Sequence, residues 1–409
     1  MVDPRHPRGS EISEEDRRIR AWRNSVYLVF AACGAAVAAI VARTPTIRDD
    51  LGITLAETGL LLLGMSMGSL IALITSGQIV WRLGPRTTIV WSLFLAASGL
   101  VTTGLGSTVA HNYVVVLIAL ICFGVGSGSC NVAMNVEGAD VERATGRPTM
   151  PLFHASFSAG GVVGVAIAAA GAALHLGVVV DLSITAVLVA AGGRLVAPHL
   201  EASQRRTADV GPRINPLRAQ LSVWLERRTI LIGVLVLSTS FVAGAGNNWL
   251  SIAMVDGHAT SNSVGALSYG AFSVAGTAGR LAAVSLLSRF GRVAVIRASA
   301  VVCGVGLILV IFFASPAVAL LGAILWGLGC SLGFPIGMSA AADDAVLAGA
   351  RISVVSTIGF AASLIGPPLI GTIGESVGIL NALAVVLVFV AVGALVAGSA
   401  RELAGRHAT

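Results

Sequence analysis

The residues best equipped for chemistry in this chain lie between Phe123 and Gly164, where two Asn, a His, several Ser and a dense run of Gly interrupt an apolar background. Asn131 and Asn135 are four residues apart, which puts both amides on one face of a helix. Each amide offers donors and an acceptor together, a pattern suited to a hydroxyl-rich ligand. The competing use is hydrogen bonding between helices, worth about 0.6–2 kcal/mol per contact. His154 follows Pro151, with Phe157 and Ser158 one turn on. An imidazole titrates near pH 6.5, so His154 is either a proton relay or a structural group bonding the end of a neighbouring helix. Uncompensated polar groups cost several kcal/mol each in hydrocarbon. Their clustering here reads as contact with something that passes through.

Other candidates sit at similar depth in other apolar runs. Asn247, Asn248 and Trp249 close one of them, and Trp249 could stack on a ring or belong to an interfacial aromatic belt. Tyr269, Ser273 and Arg280 share another, with Trp326 and Phe360 further along. Arg280 falls about 12 Å inside its span at 1.5 Å per residue and needs a partner, a wet cavity or a snorkelling route. The spans read as nearly free of acids, so Arg280 is assigned to a gate, with binding of an anionic solute as the sharper alternative. Arg82, Arg86, Arg289, Asp140 and Asp343 mark helix ends and short loops and are read as further gating charges. Asp140 and Asp343-Asp344 are expected to meet Arg of the opposite half when that side is shut.

Only a bilayer can position these groups. The 409 residues are 56% hydrophobic and 11% charged, with mean hydropathy +0.89, against about 25% charged for a soluble domain. A membrane-crossing helix takes roughly 20 apolar residues. Twelve such runs fall near 24–42, 57–80, 87–107, 113–136, 150–174, 178–197, 229–254, 264–288, 293–314, 317–341, 352–374 and 377–399. The chain is therefore read as an all-α polytopic membrane protein in the lipid bilayer. All 26 basic residues are Arg, and if the N-terminus is cytoplasmic only Arg43 and Arg48 lie outside, while Arg280 is intramembrane. That distribution predicts cytoplasmic termini in a bacterial inner membrane, so the net charge of +6 reports topology and not nucleic acid.

Residues 1–20 lack the apolar core of a signal peptide and are expected to be a retained, disordered cytoplasmic tail. Residues 21–197 and 229–400 form two six-helix halves, joined by a polar cytoplasmic linker over 198–228 and followed by a short tail at 401–409. Cys33, Cys122, Cys130, Cys303 and Cys330 fall inside predicted helices without CxxC spacing, so neither a disulfide framework nor a metal site is expected. The Arg48, Asp49, Asp50 cluster reads as solvated surface.

The halves repeat each other weakly. Arg82-Leu83-Gly84 recurs as Arg289-Phe290-Gly291, 207 residues on, while Phe123-Gly-Val-Gly126, Asp140, Phe157 and Gly171 have counterparts at Trp326-Gly-Leu-Gly329, Asp343, Phe360 and Gly374, 203 residues on. Two six-span halves joined by a linker, with cargo held between them at the midplane, is a rocking-transporter arrangement. With its loops after spans two and eight, the chain resembles the major facilitator superfamily over residues 20–400. Gly77, Arg82, Gly84 and Arg86 match that superfamily's loop pattern, while Trp81 replaces its Asp and Val284 replaces the acid of the second copy. More narrowly, Asn131-Val-Ala-Met-Asn135-Val-Glu137, Phe153-His154-x-x-Phe157-Ser158-x-Gly160 and Gly366-Pro367-Pro368 resemble the fucose-permease-related branch that includes the rhizopine-associated membrane proteins. That branch implies sugar-like or polyol-like solutes. It also implies acids at the positions of Asn131, Ala243 and Asn248, where this chain is neutral.

Gly124-x-Gly126-x-Gly128 follows no strand and has no Lys, so it is read as a packing groove and not a phosphate loop. No Walker motif, HExxH or Gly-x-Ser-x-Gly is present, and no enzyme activity or cofactor is expected. The resulting expectation is a monomeric secondary or facilitative transporter of a small polar solute working by alternating access, with protons as a candidate second partner. Efflux of a drug or amphipathic metabolite is the alternative, and a non-transporting sensor a more distant one.

Overall fold

The computed structural model describes residues 14–146, 149–200, 223–343 and 347–402. In the first half α1 (Glu14–Leu51), α2 (Leu55–Leu83), α3 (Pro85–Thr108), α4 (Tyr113–Thr145), α5 (Met150–Ala173) and α6 (Val178–Val196) follow in order. The second half opens with α7 (Arg227–Ile252), prolonged by a π turn at Ala253–Gly257. A 51-residue helix, Asn262–Phe312, comes next and leaves helical geometry at Gly291 (φ 73°, ψ 165°). At 1.5 Å per residue it would run about 77 Å, over twice the hydrocarbon thickness of about 30 Å, so it is two antiparallel spans. We denote them α8 (residues 262–290) and α9 (292–312). The last spans are α10, in two pieces at Pro316–Cys330 and Gly333–Ala341; α11 (Ala348–Val377); and α12, Ile379–Ala382 and Ala384–Val396 with a 3-10 turn at Ala397–Ala400.

Among the described residues, eleven helices are long and apolar enough to cross a membrane. The twelfth span, α8, is less apolar because Ser268, Ser273, Thr277 and Arg280 lie along it. The repeated Arg-x-Gly motif folds into one turn used twice. Gly84 adopts φ 79°, ψ 157° between α2 and α3, close to the values at Gly291 between α8 and α9. Only glycine enters that region without steric cost.

Some sequence boundaries move. Residues 14–20, read as tail, form the first turns of α1, whose Glu14, Glu15 and Asp16 complement the positive end of the helix dipole. Residues 1–13, 201–222 of the linker, Asp344 and 403–409 of the tail lie outside the described residues, and Arg227 and Arg228 already belong to α7.

Small residues set the packing. A Cβ on Gly160 of α5 would collide with the Ala31 carbonyl of α1, and one on Gly124 of α4 with the Met65 carbonyl of α2. On the other side of α4, Gly126 leaves 2.6 Å between its would-be Cβ and the Ala96 amide of α3. Without a hydrophobic force between helices in lipid, such close backbone approach is what drives association. Leu73, Trp91, Val187 and Leu395 cover the outside as exposed apolar surface, the face a bilayer requires.

Alternating span direction places the start of α1, the end of α6, the start of α7 and the end of α12 at one face of the bundle, here the terminal face. The halves meet through α2 on α11, α5 on α8 and α1 on α7 and α8. Their shared core contains Ala38, Val41, Leu62, Val165 and Ala169 from the first half and Phe241, Trp249, Phe272 and Ile370 from the second. Every one of these lies nearer the opposite face.

Candidate functional site

The angular positions of the small residues show where the polar ones look. On α4, Gly124 and Gly128 rest on α2, Gly126 on α3, and Gly138 faces Met150 and Phe153 of α5. At about 100° per residue, Asn131 falls between the α2 and α5 directions. Because α2 packs on α11 and α5 on α8, that gap looks at the second half. Asn131 is exposed and Asn135 half-buried. The Asn135 amide nitrogen donates to the Asn131 carbonyl at 2.7 Å, with the Asn131 side-chain oxygen at 3.4 Å.

The same construction aims the other elements. On α5, Gly160 and Gly164 rest on α1 and Val165 faces Gly270 of α8, which leaves His154 between α1 and α8. His154 is exposed, with its ring edge-on to Phe30 at 5.2 Å. The Ser158 and Thr277 hydroxyls meet at 2.8 Å across the halves. On α8, Gly276 and Gly279 rest on α10 and Thr277 on α5, so Ser273 and Arg280 occupy the stripe between. On α7, a Cβ added at Gly244 would meet nothing within 4 Å, and Asn247 one turn on is exposed, with Asn248 half-buried.

Asn131, His154, Ser158 and Arg280 thus sit on helix faces turned toward the gap between the halves, the candidate vestibule, with Asn135 one turn from Asn131 and Asn247 exposed on α7. Phe157 and Phe360 are half-buried beside it. Three aromatic candidates turn out to be core. Trp249 is fully buried among α7 and α11, Trp326 is fully buried and donates its indole N–H to the Val242 carbonyl at 3.2 Å, and Tyr269 is buried beside Phe272. Large rings fill the closed end of the bundle, where the halves press together.

That closed end holds contacts sequence reasoning missed. Arg48 pairs with Asp256 across the halves, its second nitrogen at 3.0 Å, and the Leu55 amide donates to Glu375 at 3.0 Å. Gly59 packs against the Pro367 carbonyl of α11. The reading of the Arg48 cluster as solvated surface is thus corrected. A signal existed: Arg48 and Asp256 are 208 residues apart, close to the repeat offset, so equivalent ends of α1 and α7 carry opposite charges.

At the terminal face the gating candidates make pairs of a different kind. Asp140 pairs with Arg143 of its own helix, and Asp343 accepts from Arg228 at 2.8 Å and Arg292 at 2.9 Å, all inside one half. These pairs each lie within one half, and Asp344, the other acid of that expectation, lies outside the described residues. Burial pushes the Asp343 carboxyl up, but the two guanidiniums outweigh it and hold it below the usual aspartate range. Arg82 is exposed, Arg86 half-buried, and Arg289 lies 5.3 Å over the Phe290 ring.

A second correction concerns the acids. Asp181 of α6 and Arg43 of α1 form an ion pair at 3.0 Å with both side chains 2% exposed, and Arg43 also donates to the Leu176 carbonyl at 2.8 Å. Glu137 of α4 is buried and accepts from the Trp22 indole. The spans do hold carboxylates, but these point into the packing of the first half and away from the vestibule.

The model of the Major Facilitator Superfamily matches residues 25–367. An uncharacterised MFS-type transporter of Yersinia pestis is 31% identical over 354 residues, 86% of this chain and 88% of that protein. The membrane protein MosC of Rhizobium meliloti is 29% identical over 366 residues, 89% and 86% of the two chains. Among solved structures, the nucleoside transporter NupG shares the fold at TM-score 0.75 and 13% identity, covering 94% of this chain and 98% of that one. The E. coli fucose:proton symporter FucP does so at TM-score 0.63 and 17% identity, covering 93% and 98%.

Proposed function

This chain belongs to the major facilitator superfamily, a membrane transporter and not an enzyme, and on that premise we propose that it moves a sugar-like or polyol-like solute by alternating access. The observation that carries this reading is the vestibule. Uncharged amides and hydroxyls from α4, α5 and α8 face a gap between halves whose shared apolar core lies toward the opposite face. Amides satisfy ring and chain hydroxyls in both directions, and a site at the interface of two rocking halves is exposed to one side at a time. Nucleoside and fucose, the cargoes named for the two structural neighbours, are both rich in hydroxyls.

The Arg bias supports a bacterial inner-membrane orientation with both termini cytoplasmic, so the vestibule opens to the cytoplasm here. Because the carboxylates of the spans lie in helix packing, transport runs as facilitated diffusion or with His154 as the proton group, in a monomer. Asn131 and Asn135 hold the solute; Arg82, Arg86 and Arg289 act at the cytoplasmic gate.

A ligand-stabilisation screen of the purified protein against sugars, polyols, amino acids and nucleosides tests the substrate class. A solute at 100 times its Kd raises apparent stability by about 2.7 kcal/mol. Asn131→Ala is expected to weaken the hit by roughly 5- to 10-fold, the equivalent of one hydrogen bond of about 1 kcal/mol. Stabilisation by amino acids alone, unaffected by that change, would contradict the proposal.

A further inference from the structure

The gap between the halves carries a cation with no counter-ion among the described residues. Arg280 is exposed, lies about 15 Å along α8 from its terminal end, and has no ion-pair or hydrogen-bond partner among the described residues. Its direction is fixed by its neighbours on the helix: Gly276 and Gly279 contact α10, Thr277 contacts Ser158 of α5, and Arg280 projects between them. It is close enough to His154 on α5 and Cys330 on α10 to act on both electrostatically. That placement rules out a lipid-facing side chain, since α5 and α10 flank it.

Carboxylates in reach of the vestibule are committed elsewhere. Asp140 is paired with Arg143, Glu142 accepts from the Met150 amide, Asp343 is held by two Arg, and Glu137 is buried beside Trp22. A guanidinium at this depth, close to His154 and one turn from the Thr277 that meets Ser158, is a positive charge without a described counter-ion. An intramembrane cation persists where it faces water or an anion, and a guanidinium is the side chain that takes a carboxylate through two parallel N–H bonds.

We infer that the solute is anionic as well as hydroxylated, a sugar acid or similar polyhydroxy carboxylate, with Arg280 receiving the carboxylate and the Asn131–Asn135 amides the hydroxyls. The inference rests on the vestibule being the solute site. It places the two recognition elements on different halves, so a bound molecule ties α4 to α8 and biases the rocking equilibrium by its differential contacts.

The test is a thermal-shift titration of the full chain in detergent with gluconate and glucuronate beside their neutral counterparts sorbitol and glucose. At least one acid is expected to bind 10-fold or more tightly than its neutral counterpart, with an advantage that shrinks as ionic strength rises. Arg280→Gln is expected to abolish that advantage while leaving any neutral binding in place, and Arg280→Lys to keep part of it. Neutral compounds binding as tightly as acids, or an acid preference that survives Arg280→Gln, overturns the inference alone. If none of the four shifts the wild-type protein, the hydroxylated-solute reading falls with it. Should Arg280→Gln fail to fold, the wild-type comparison of acid with neutral compound decides.

Discussion

A single buried pair shows how charge is used in this molecule. Arg43 and Asp181 are each 2% exposed and 3.0 Å apart, with both side chains inside the packing of the first half. Desolvation makes such a pair a modest net contributor, yet removing one partner strands the other charge, at a cost of about 3–5 kcal/mol. Asp181→Asn is therefore expected to lower the thermal midpoint of the purified protein sharply, whereas Arg43→Met with Asp181→Leu restores most of the loss. Thermal unfolding of the single and double variants measures this; single variants as stable as the double would contradict it. Residue types and spacing marked Asn131, Asn135, His154 and Arg280 as candidates in the sequence. Arg43 and Asp181 were not, because their partnership joins α1 to α6 over 138 positions and leaves no local pattern.

Helix identity was the most readable level. Twelve apolar runs and the Arg-x-Gly repeat anticipated α1–α12 and the paired turns at Gly84 and Gly291. The precise ends were less so, because α1 extends back to Glu14 on a polar first turn that a hydropathy reading counts as tail. Which face of each helix meets which neighbour came only from the structure, through the glycines. Gly160 and Gly164 of α5 lie on the carbonyls of Ala31 and Ala35 of α1, with no room for a side chain. Gly160→Val is expected to separate α1 from α5 and cost about 1–3 kcal/mol, the range for overpacking a tight contact. Because His154 and Ser158 ride on the same helix, solute affinity falls along with stability. Thermal unfolding and ligand titration of the one variant check both, and an unchanged midpoint would show that α5 does not depend on this contact.

At the scale of the whole molecule, the charged contacts between the halves and their shared apolar core gather toward one end. Arg48 with Asp256, the Leu55 amide with Glu375, and the Trp249 core shut the opposite face, while the Asp140–Arg143 and Asp343–Arg292 pairs at the terminal face each lie inside one half. The six-plus-six plan was visible as a weak duplication. The gate was not, because opposite charges at equivalent helix ends acquire meaning only once the halves are docked.

The central claim is that Asn131 and Gly244, from opposite halves, border one water-filled vestibule open at the terminal face. Single cysteines at these two positions, in a background with the five native cysteines replaced, are to be labelled with a membrane-impermeant thiol reagent in right-side-out and inside-out vesicles. Both positions should react, and faster from the face that carries the termini. Failure of both to react with the aqueous reagent from either side, in folded protein, would show that these residues face lipid or packed protein and would contradict the account.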